Sequence, residues 1–376
     1  MAETHRLASK FSIAIIAGQL VVGGAERQLY LWLANLDRDR FDPVVLTLHP
    51  GHDDFWEKPI RELGIPLFEI PQRANRLARL WQIVMVLRSY KPSLIHGWHV
   101  FSGVYAGLAA KILGAKSLAG IRSSFLHLKS GPETKLMRKF CDAVIANSQA
   151  AASDYQEGQR STKQKVFVVQ NAVENNFLDR EVARAELIGL FSLAPDSIWL
   201  VSIGRMEPLK RFDTLIRVCS ELNKSGFDYH LVLIGDGPER EKLMSMVKGL
   251  GLSEQVTFTG EVPDASRWLP AFDVFCFPSI SEGSPNVVME AALAGLPIAA
   301  WDLPFNREIL PEPKFALLAE AGNVQAMLDA LIQLITSESL RKNLGTAAQE
   351  HIRASFSLYR YVDSMTAVYE NILAIK

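Results

Sequence analysis

The stretch IWLVSIGRMEPLKRFDTLIRVCSELNKSGFDYHLVLIGDGP, residues 198–238, decides the fold. Two runs in it, 198–204 and 229–235, are rich in Val, Ile and Leu and end in glycine, which predicts buried strands. The segment FDTLIRVCSELNKSG between them has the apolar spacing of a helix. A strand, a helix and a second strand in this order predict two parallel strands joined by a crossover helix.

The same alternation continues along the chain. We predict strands at 11–18, 42–49, 66–70, 94–97, 117–122, 143–147 and 166–171, and then at 198–204, 229–235, 256–260, 274–279 and 297–301. Two such series predict an α/β protein with two Rossmann-like domains. A polar, Pro-containing break near 174–197 predicts the hinge. We therefore place the domains at 1–180 and 181–355, with a final helix at 356–376 that packs back towards the first domain.

Length and composition agree with this organisation. The chain has 376 residues, above the ~250–300 at which single cores usually divide. Hydrophobic residues make up 48% and charged residues 22%, which is enough to build cores. Three cysteines show no metal-ligand or disulfide spacing and indicate a reducing compartment. The apolar run at 11–18 is too short for an export signal or a membrane span, so we expect a cytoplasmic protein.

Charge is unevenly distributed between the two halves. Residues 1–180 hold 23 Lys and Arg against 16 Asp and Glu, whereas residues 181–376 hold 17 against 25. The basic half suits an anionic acceptor or the anionic inner face of a membrane. A solvated surface that is merely uneven is the alternative. The net charge of −1 does not indicate a nucleic-acid partner.

Loops that follow strands are the expected places for ligands in open α/β sheets. After the strand at 11–18, QLVVGGAERQ places Gly23 and Gly24 before a helix, where backbone can approach an anion closely. A plain turn is the alternative, since neither a dinucleotide nor a phosphate-loop motif is present. The later glycines of IGDGP, Gly235 and Gly237, do not complete a dinucleotide motif and indicate a tight turn.

The loop SIGRMEPLKR brings two cations to a strand end. Arg205 and Lys210 at such a position suit a doubly charged leaving group, because Arg clamps oxygens with its fork and Lys acts as a point charge. Surface cations without a ligand are the alternative.

Residues 281–297, SEGSPNVVMEAALAGLP, predict a turn followed by a helix. We predict Ser284 as the helix N-cap and Pro285 as the first helical residue. The backbone N–H groups of Asn286 and Val287 would then be available to a phosphate.

Two glutamates belong to this segment. Glu282 lies in the turn, and Glu290 lies in a helix that is otherwise apolar. A carboxylate there is costly unless it is paired, and two adjacent ribose hydroxyls would pair with it. A glutamate bonded to neighbouring backbone or to a cation is the alternative.

Five motifs in this order resemble one family. GGAER, G-R-x4-K, LIGDGP, FPS-x-x-EG and the pair Glu282 and Glu290 are similar to those of the retaining glycosyltransferases of family 4. The resemblance extends from about residue 12 to residue 370. It implies the GT-B fold, in which two Rossmann-like domains have parallel sheets facing across a deep cleft. It also implies sugar transfer from a nucleotide diphosphate donor with retention, without a metal or another cofactor.

The resemblance assigns roles to single residues. Arg205 and Lys210 match the pair that neutralises the donor diphosphate. Glu282 matches the carboxylate near the transferred sugar, and Glu290 the one that holds the ribose. The remaining donor-side matches are the glycine pair Gly23 and Gly24 near the reacting phosphate and the turn and helix start formed by Gly283, Ser284, Pro285, Asn286 and Val287.

The segment IHGWHV departs from the family pattern, which often has His-x-His here. His96 aligns with the first histidine, Trp98 replaces the second, and His99 is the substitute that we expect to contact substrate. A packing role for either histidine is the alternative. Arg122, in GIRSS, is expected to meet the diphosphate or an anionic acceptor.

The resulting hypothesis is a hexosyltransferase that uses a UDP-sugar, with a GDP-sugar as the second choice. Its acceptor would be a glycan or a lipid-linked sugar in cell-surface polysaccharide or glycolipid synthesis. A UDP-sugar epimerase of the same fold and a non-catalytic nucleotide-sugar binder are the alternatives. The sugar, the linkage and the oligomeric state are left open.

Overall fold

A computed structural model describes residues 10–49, 51, 54–71, 75–122, 131–157 and 164–374. The chain divides into two compact units. Unit 1 contains Met1–Asn171 and Leu358–Lys376, and unit 2 contains Ala172–Ser357. Among the described residues, no helix is both long enough and apolar enough to cross a membrane.

Unit 1 is built on a seven-stranded parallel sheet. Its strands are β1 (Phe11–Ala17), β2 (Phe41–Thr47), β3 (Leu67–Glu69), β4 (Leu94–Gly97), β5 (Lys116–Ile121), β6 (Ala143–Ala146) and β7 (Lys165–Val168). The helices in this part of the chain are α1 (Gly24–Ala34), α2 (Glu57–Glu62), α3 (Arg76–Tyr90), α4 (Val100–Leu113), α5 (Pro132–Phe140) and α6 (Gln149–Glu157). The strand order is β3-β2-β1-β4-β5-β6-β7.

Unit 2 is built on a six-stranded parallel sheet with the order β10-β9-β8-β11-β12-β13. Its strands are β8 (Ile198–Ile203), β9 (Tyr229–Ile234), β10 (Val256–Gly260), β11 (Val274–Phe277), β12 (Ile298–Trp301) and β13 (Leu317–Ala319). Its helices are α7 (Arg180–Phe191), α8 (Phe212–Lys224), α9 (Arg240–Gly249), α10 (Asn286–Leu293), α11 (Pro304–Ile309), α12 (Val324–Thr336) and α13 (Glu338–Ser355). The last helix, α14 (Leu358–Leu373), belongs to unit 1.

Strands of the second sheet are buried on both faces. In β8, Trp199 and Val201 pack into one apolar cluster, whereas Leu200 between them packs into another. Alternate residues point to opposite faces of a sheet, so both faces are covered here. This explains why the strands read as near-continuous apolar runs.

The predicted two-sheet α/β architecture is confirmed, and each of the twelve predicted strands is present. The three-residue strand β13 was not predicted. The division between the units comes after Asn171, whereas the prediction placed it after residue 180. The reason is that the Val173 N–H bonds to the Phe356 carbonyl at 3.1 Å and the Leu178 N–H bonds to the Arg267 carbonyl at 3.0 Å, both within unit 2.

The direction in which strands are added reverses once in each sheet. In unit 1 the reversal lies between β1 and β4, and in unit 2 it lies between β8 and β11. At such a switch point the loops leaving the carboxyl ends of the two strands diverge and leave room for a ligand. The loops after these four strands are therefore the places to look for a site.

Candidate functional site

The loop after β8 carries the two cations predicted from the sequence. It passes through a short 3₁₀ helix, Pro208–Lys210, and reaches α8 through Arg211, whose φ of 53° is left-handed. Met206 anchors the loop, because its side chain is fully buried in the core of unit 2.

Two glycines after β9 hold this loop by main-chain contact. Gly235 and Gly237 have φ values of 132° and 154°, and a Cβ at these positions would lie 2.1 Å from the Gly204 oxygen and 2.6 Å from the Met206 oxygen. The Met206 N–H donates to the Asp236 carbonyl at 2.7 Å. The role of these glycines therefore extends beyond the predicted turn, since they let one loop lie directly against the other.

Lys210 and Glu282 meet at the switch point of unit 2. The Lys210 Nζ donates to Glu282 Oε1, and the buried Ser279 hydroxyl donates to the same oxygen at 3.0 Å. The Ile280 N–H also donates to the Leu209 carbonyl at 3.0 Å, so the two loops are joined by main chain. The structure thus brings Lys210, expected at the donor diphosphate, together with Glu282, expected near the transferred sugar.

Arg205 has a different environment. Its side chain is 72% exposed, and its Nε lies 3.1 Å from Glu207 Oε1. An exposed pair of this kind contributes at most about 1 kcal/mol, so an incoming anion can replace Glu207 at little cost.

The helix after Glu282 starts one residue later than predicted. Pro285 is the N-cap, with ψ of 102°, and α10 begins at Asn286, whereas the sequence predicted Ser284 as N-cap and Pro285 inside the helix. Pro285 occupies the cap because its carbonyl already accepts the N–H of Val288 at 3.1 Å. Asn286 and Val287 are the first two residues of α10.

The rest of the predicted donor segment is largely buried. Gly283 and Ser284 form the turn before α10, with Gly283 buried and Ser284 half-buried. Glu290 is buried on α10, with 8% of its surface exposed, between buried Met289 and Ala291. It lies four residues after Asn286, and residues at this spacing share a helix face. A carboxylate and the helix start therefore occupy one side of α10.

In unit 1 the predicted glycine pair accommodates a carboxylate. Gly23 is the N-cap of α1 and Gly24 its first residue. A Cβ on Gly23 would lie 2.2 Å from Glu26 Oε2, so a glycine leaves room for that carboxylate. The other oxygen, Glu26 Oε1, lies 3.3 Å from His99 Nε2. Glu26 lies within the motif GGAER, but the sequence does not predict a role for it.

Arg122 is stacked on Trp98. Its guanidinium carbon lies 3.5 Å from the centre of the Trp98 ring, and its Nε donates to the Trp98 carbonyl at 3.1 Å. Trp98 is fully buried, and its Nε1 donates to the Ala25 carbonyl at 2.8 Å. Burial lowers the pKa of Arg122, while Tyr361 and Glu26 partly offset this effect. The Arg122 guanidinium and the Trp98 ring therefore form a cation–π pair, and this ring is hydrogen-bonded to the first turn of α1.

His96 has the packing role that was left as an alternative. It is buried, and its Nδ1 shares a hydrogen bond of 2.8 Å with the hydroxyl of Tyr369 on α14. Burial, with the nearby Arg122 and His99, lowers the pKa of His96 well below its ordinary value. Of the two histidines only His99 is partly exposed, and its contact with substrate stays a prediction.

Within the described part of the chain, no group of three or more His, Cys, Asp or Glu side chains is arranged to hold a metal ion. The cysteines Cys141, Cys219 and Cys276 are free and buried, and burial raises the pKa of Cys141 and Cys219 to about 12.

Two family models match the chain, one in each unit. Residues 22–177 match the model described as Glycosyltransferase Family 4, and residues 191–351 match Glycosyl transferases group 1. The matches leave out little more than the chain ends.

Relatives of known name are similar over most of the chain. The lipopolysaccharide core biosynthesis glycosyltransferase LpsD of Rhizobium meliloti is 28% identical over 93% of this chain and 95% of its own length. An N-acetylgalactosaminyltransferase of Campylobacter jejuni, named for a diphospho-undecaprenol-linked acceptor, is 24% identical over 66% of this chain and 69% of its own length.

A solved structure has the same fold. HepE of Anabaena, in complex with UDP-glucose, matches with a TM-score of 0.83 and 20% identity, over 96% of this chain and 99% of its own. At this identity the likeness shows the GT-B fold alone.

Proposed function

This chain belongs to the family 4 glycosyltransferases, and on that premise we propose that it transfers a hexose from a nucleotide diphosphate-sugar with retention. The acceptor is a glycan or a lipid-linked sugar in cell-surface polysaccharide or glycolipid synthesis. Unit 2 binds the donor and unit 1 contributes the acceptor site.

The contact between Lys210 and Glu282 carries the proposal. It joins the loops after β8 and β11, which flank the switch point of unit 2. A nucleotide sugar needs a cation for its diphosphate and an acceptor of hydrogen bonds for its sugar hydroxyls. Lys210 and Glu282 supply one of each at adjacent atoms.

The start of α10 supplies further positive charge. Asn286 and Val287 lie at the positive end of the α10 dipole, which favours a phosphate bound after the turn at Glu282. Arg205 joins them by leaving its exposed contact with Glu207. Negative charge that develops on the leaving diphosphate is thereby met by fixed donors.

The chemistry follows from these roles. The bond between the anomeric carbon and the diphosphate oxygen breaks while an acceptor oxygen forms a bond to the same carbon on the same face. The departing diphosphate oxygen takes the proton of the acceptor hydroxyl, so no separate base is required. Glu282 orients the sugar, and buried Glu290 holds the two ribose hydroxyls. Near α1, Glu26 and His99 receive the acceptor.

Donor and acceptor classes are proposed from the relatives. The UDP-glucose complex of HepE favours UDP over GDP as the nucleotide. The names of the Rhizobium and Campylobacter enzymes favour a lipopolysaccharide or a lipid-linked oligosaccharide as the acceptor.

A ligand screen followed by turnover tests the proposal. A nucleotide that binds only the native state raises the melting temperature, so UDP, GDP and ADP can be ranked by thermal shift. The preferred nucleotide sugar is then incubated with lipopolysaccharide core or lipid-linked acceptors, and product and anomer are read by NMR.

Glu282→Gln is expected to lower turnover about a hundredfold or more. Glu312→Gln, which alters an exposed pair with Lys314 in the same unit, is the matched control and should leave turnover unchanged. Near-normal turnover of Glu282→Gln would remove its proposed role. If an epimer of the donor sugar formed without acceptor, the protein would be an epimerase and not a transferase. If the nucleotide sugar bound but gave neither product, the protein would be a non-catalytic nucleotide-sugar binder.

A further inference from the structure

One segment of unit 1 contains no acidic residue. From Ile70 to Pro132, 63 residues include nine Lys and Arg and not one Asp or Glu. The whole chain has nearly equal numbers of the two, 40 and 41. This segment includes α3 and α4, so the surface that they form carries positive charge without internal compensation.

Helix α3 exposes a row of large apolar side chains. Leu77, Trp81 and Met85 are 73%, 59% and 49% exposed, and they lie at positions i, i+4 and i+8. This spacing places them on one side of the helix. The opposite side carries the buried residues Ile83 and Leu87, so the exposed row is not the side of α3 that packs into the hydrophobic core.

Neighbouring helices also expose large apolar side chains. Leu136 on α5 and Ile112 on α4 are 40% and 56% exposed. Helices α3, α4 and α5 converge on a cavity of about 130 Å³, whose apolar lining is Leu77, Leu80, Phe101, Val104, Leu108 and Leu136. Glu133 and Arg76 also border this cavity. Leu77 and Leu136 border this cavity together, so exposed apolar side chains of α3 and α5 lie close to each other, and an exposed apolar patch of this kind marks an interaction site.

Cations surround the apolar row. Arg76 and Arg88 lie towards the two ends of the row on α3, and Lys135 and Lys139 are exposed on α5 beside Leu136. The ion pairs formed by described residues involve none of these four cations. Lys139 Nζ lies 5.4 Å from the centre of the Phe140 ring, and no carboxylate of the described residues neutralises these four cations.

We propose that unit 1 docks on an anionic lipid bilayer through this α3 surface, defined as Leu77, Trp81, Met85 and Leu136 with Arg76, Arg88, Lys135 and Lys139. A tryptophan between leucine and methionine enters the boundary of headgroups and acyl chains, where such side chains are favoured. The flanking cations meet anionic headgroups, and their long stems follow the apolar surface. A soluble glycan would not require the apolar row, and a second copy of the chain would not require a segment free of acids.

Vesicle binding by the full chain tests this inference, and the readout does not depend on sugar transfer. Vesicles of phosphatidylcholine alone are compared with vesicles that also contain phosphatidylglycerol, at low and high salt. We expect binding to the anionic vesicles only, weakened by salt. The double change of Leu77→Ser and Trp81→Ser should reduce binding by roughly tenfold or more. The double change of Arg76→Gln and Arg88→Gln should reduce it by roughly fivefold per cation at low salt.

The matched control lies in unit 2. Leu190 on α7 is 57% exposed, similar to Trp81, and Leu190→Ser should bind vesicles as the unchanged chain does. Melting temperatures show whether each variant is folded. Equal binding of all variants, or equal binding to neutral vesicles, would overturn the proposal. So would a dimer in light scattering that the Leu77 and Trp81 changes convert to a monomer without vesicle binding, since the surface would then belong to a second copy.

Discussion

The two switch points of this molecule are built in different ways. In unit 2, Lys210 and Glu282 are partly exposed charged groups on short loops, and they are positioned by backbone contacts with adjacent loops. In unit 1, His96 and Trp98 are buried, and α14 contributes the partner of His96 from 273 residues away. The same fold thus supports one site through local backbone geometry and the other through long-range packing.

This difference predicts which property each substitution changes. Charged groups near the surface contribute little to the free energy of folding, so their loss should mainly lower catalytic turnover. Buried polar partners contribute to folding first, because a polar group left alone in the core costs free energy. Changes in the unit 2 site should lower turnover at nearly constant stability, and changes behind the unit 1 site should do the reverse.

The largest effect is expected for Lys210→Ala. Loss of a fixed cation beside the leaving diphosphate should lower kcat by roughly a hundred- to a thousandfold, with little change in melting temperature. Steady-state kinetics and thermal melting check this together. Lys224→Ala, which removes an exposed pair with Glu221 in the same unit, is the control and should have normal kcat. A large fall in melting temperature for Lys210→Ala would break the comparison.

Gly235→Ala tests the backbone support of the same loop. Its φ of 132° is unfavourable for alanine, and the added Cβ would lie 2.1 Å from the Gly204 oxygen. We expect a loss of roughly 3 kcal/mol in the free energy of unfolding, from backbone strain and overpacking. Denaturant titration measures it. Gly189→Ala on α7, where a Cβ meets nothing within 4 Å, is the control. Equal stability of the two variants would show that the loops do not need their close contact.

Tyr369→Phe tests the long-range support in unit 1. It removes the hydroxyl that pairs with His96 Nδ1 and leaves that buried nitrogen alone. The free energy of unfolding should fall by about 1–3 kcal/mol. Tyr359→Phe, on the exposed side of the same helix, should be neutral. The comparison would fail if Tyr369→Phe lowered turnover strongly without any loss of stability.

Acid sensitivity should arise mainly in unit 1. Burial holds the pKa of native His96 well below its ordinary 6.5, so below that pH the unfolded chain binds a proton that the folded chain does not. Stability should therefore fall as pH drops below 6.5, by at most about 1.4 kcal/mol per pH unit for one group. His96→Gln should reduce this slope. A smaller slope should remain, because burial also lowers the pKa of His230 in unit 2. An unchanged slope in His96→Gln would assign the acid sensitivity elsewhere.

The smallest effect on folding is expected for Gly23→Ala. The added Cβ meets only the end of the Glu26 side chain, which can move away. Stability should stay within about 0.5 kcal/mol of the unchanged chain. Displacement of Glu26 from His99 should raise KM for the acceptor more than KM for the donor. Equal changes in both constants would contradict the assignment of Glu26 and His99 to the acceptor.

Much of the fold could be predicted because strands buried on both faces have a simple signature. The alternation of Trp199, Leu200 and Val201 between two cores produces an unbroken apolar run. Strand β13 was not predicted because its sequence, LLA, consists of Leu and Ala, which both favour helices. The start of α10 was misplaced by one residue, because both Ser284 and Pro285 are typical of helix starts and local preference does not choose between them.

The candidate site was predictable as a set of residues but not as a set of contacts. Position after a strand identified Arg205, Lys210 and Glu282 separately. Their pairing depends on which strands are neighbours, and Lys210 and Glu282 are 72 residues apart. The partner of His96 lies on α14 at a still larger separation, and no local pattern indicates it. Glu26 could have been found from GGAER, since Gly23, three residues before it, leaves room for its carboxylate.

The membership of α14 in unit 1 has a consequence for biosynthesis. The ribosome delivers the chain from its N-terminus, and domains generally fold as they are completed. All of Ala172–Ser357 is made before α14, so unit 2 has its whole sequence while unit 1 still lacks Tyr361 and Tyr369. His96 has no hydroxyl partner during that interval. Unit 1, although it is begun first, is the unit whose folding must be finished last, and a nascent chain stalled before α14 would contain an incomplete unit 1 and a complete unit 2.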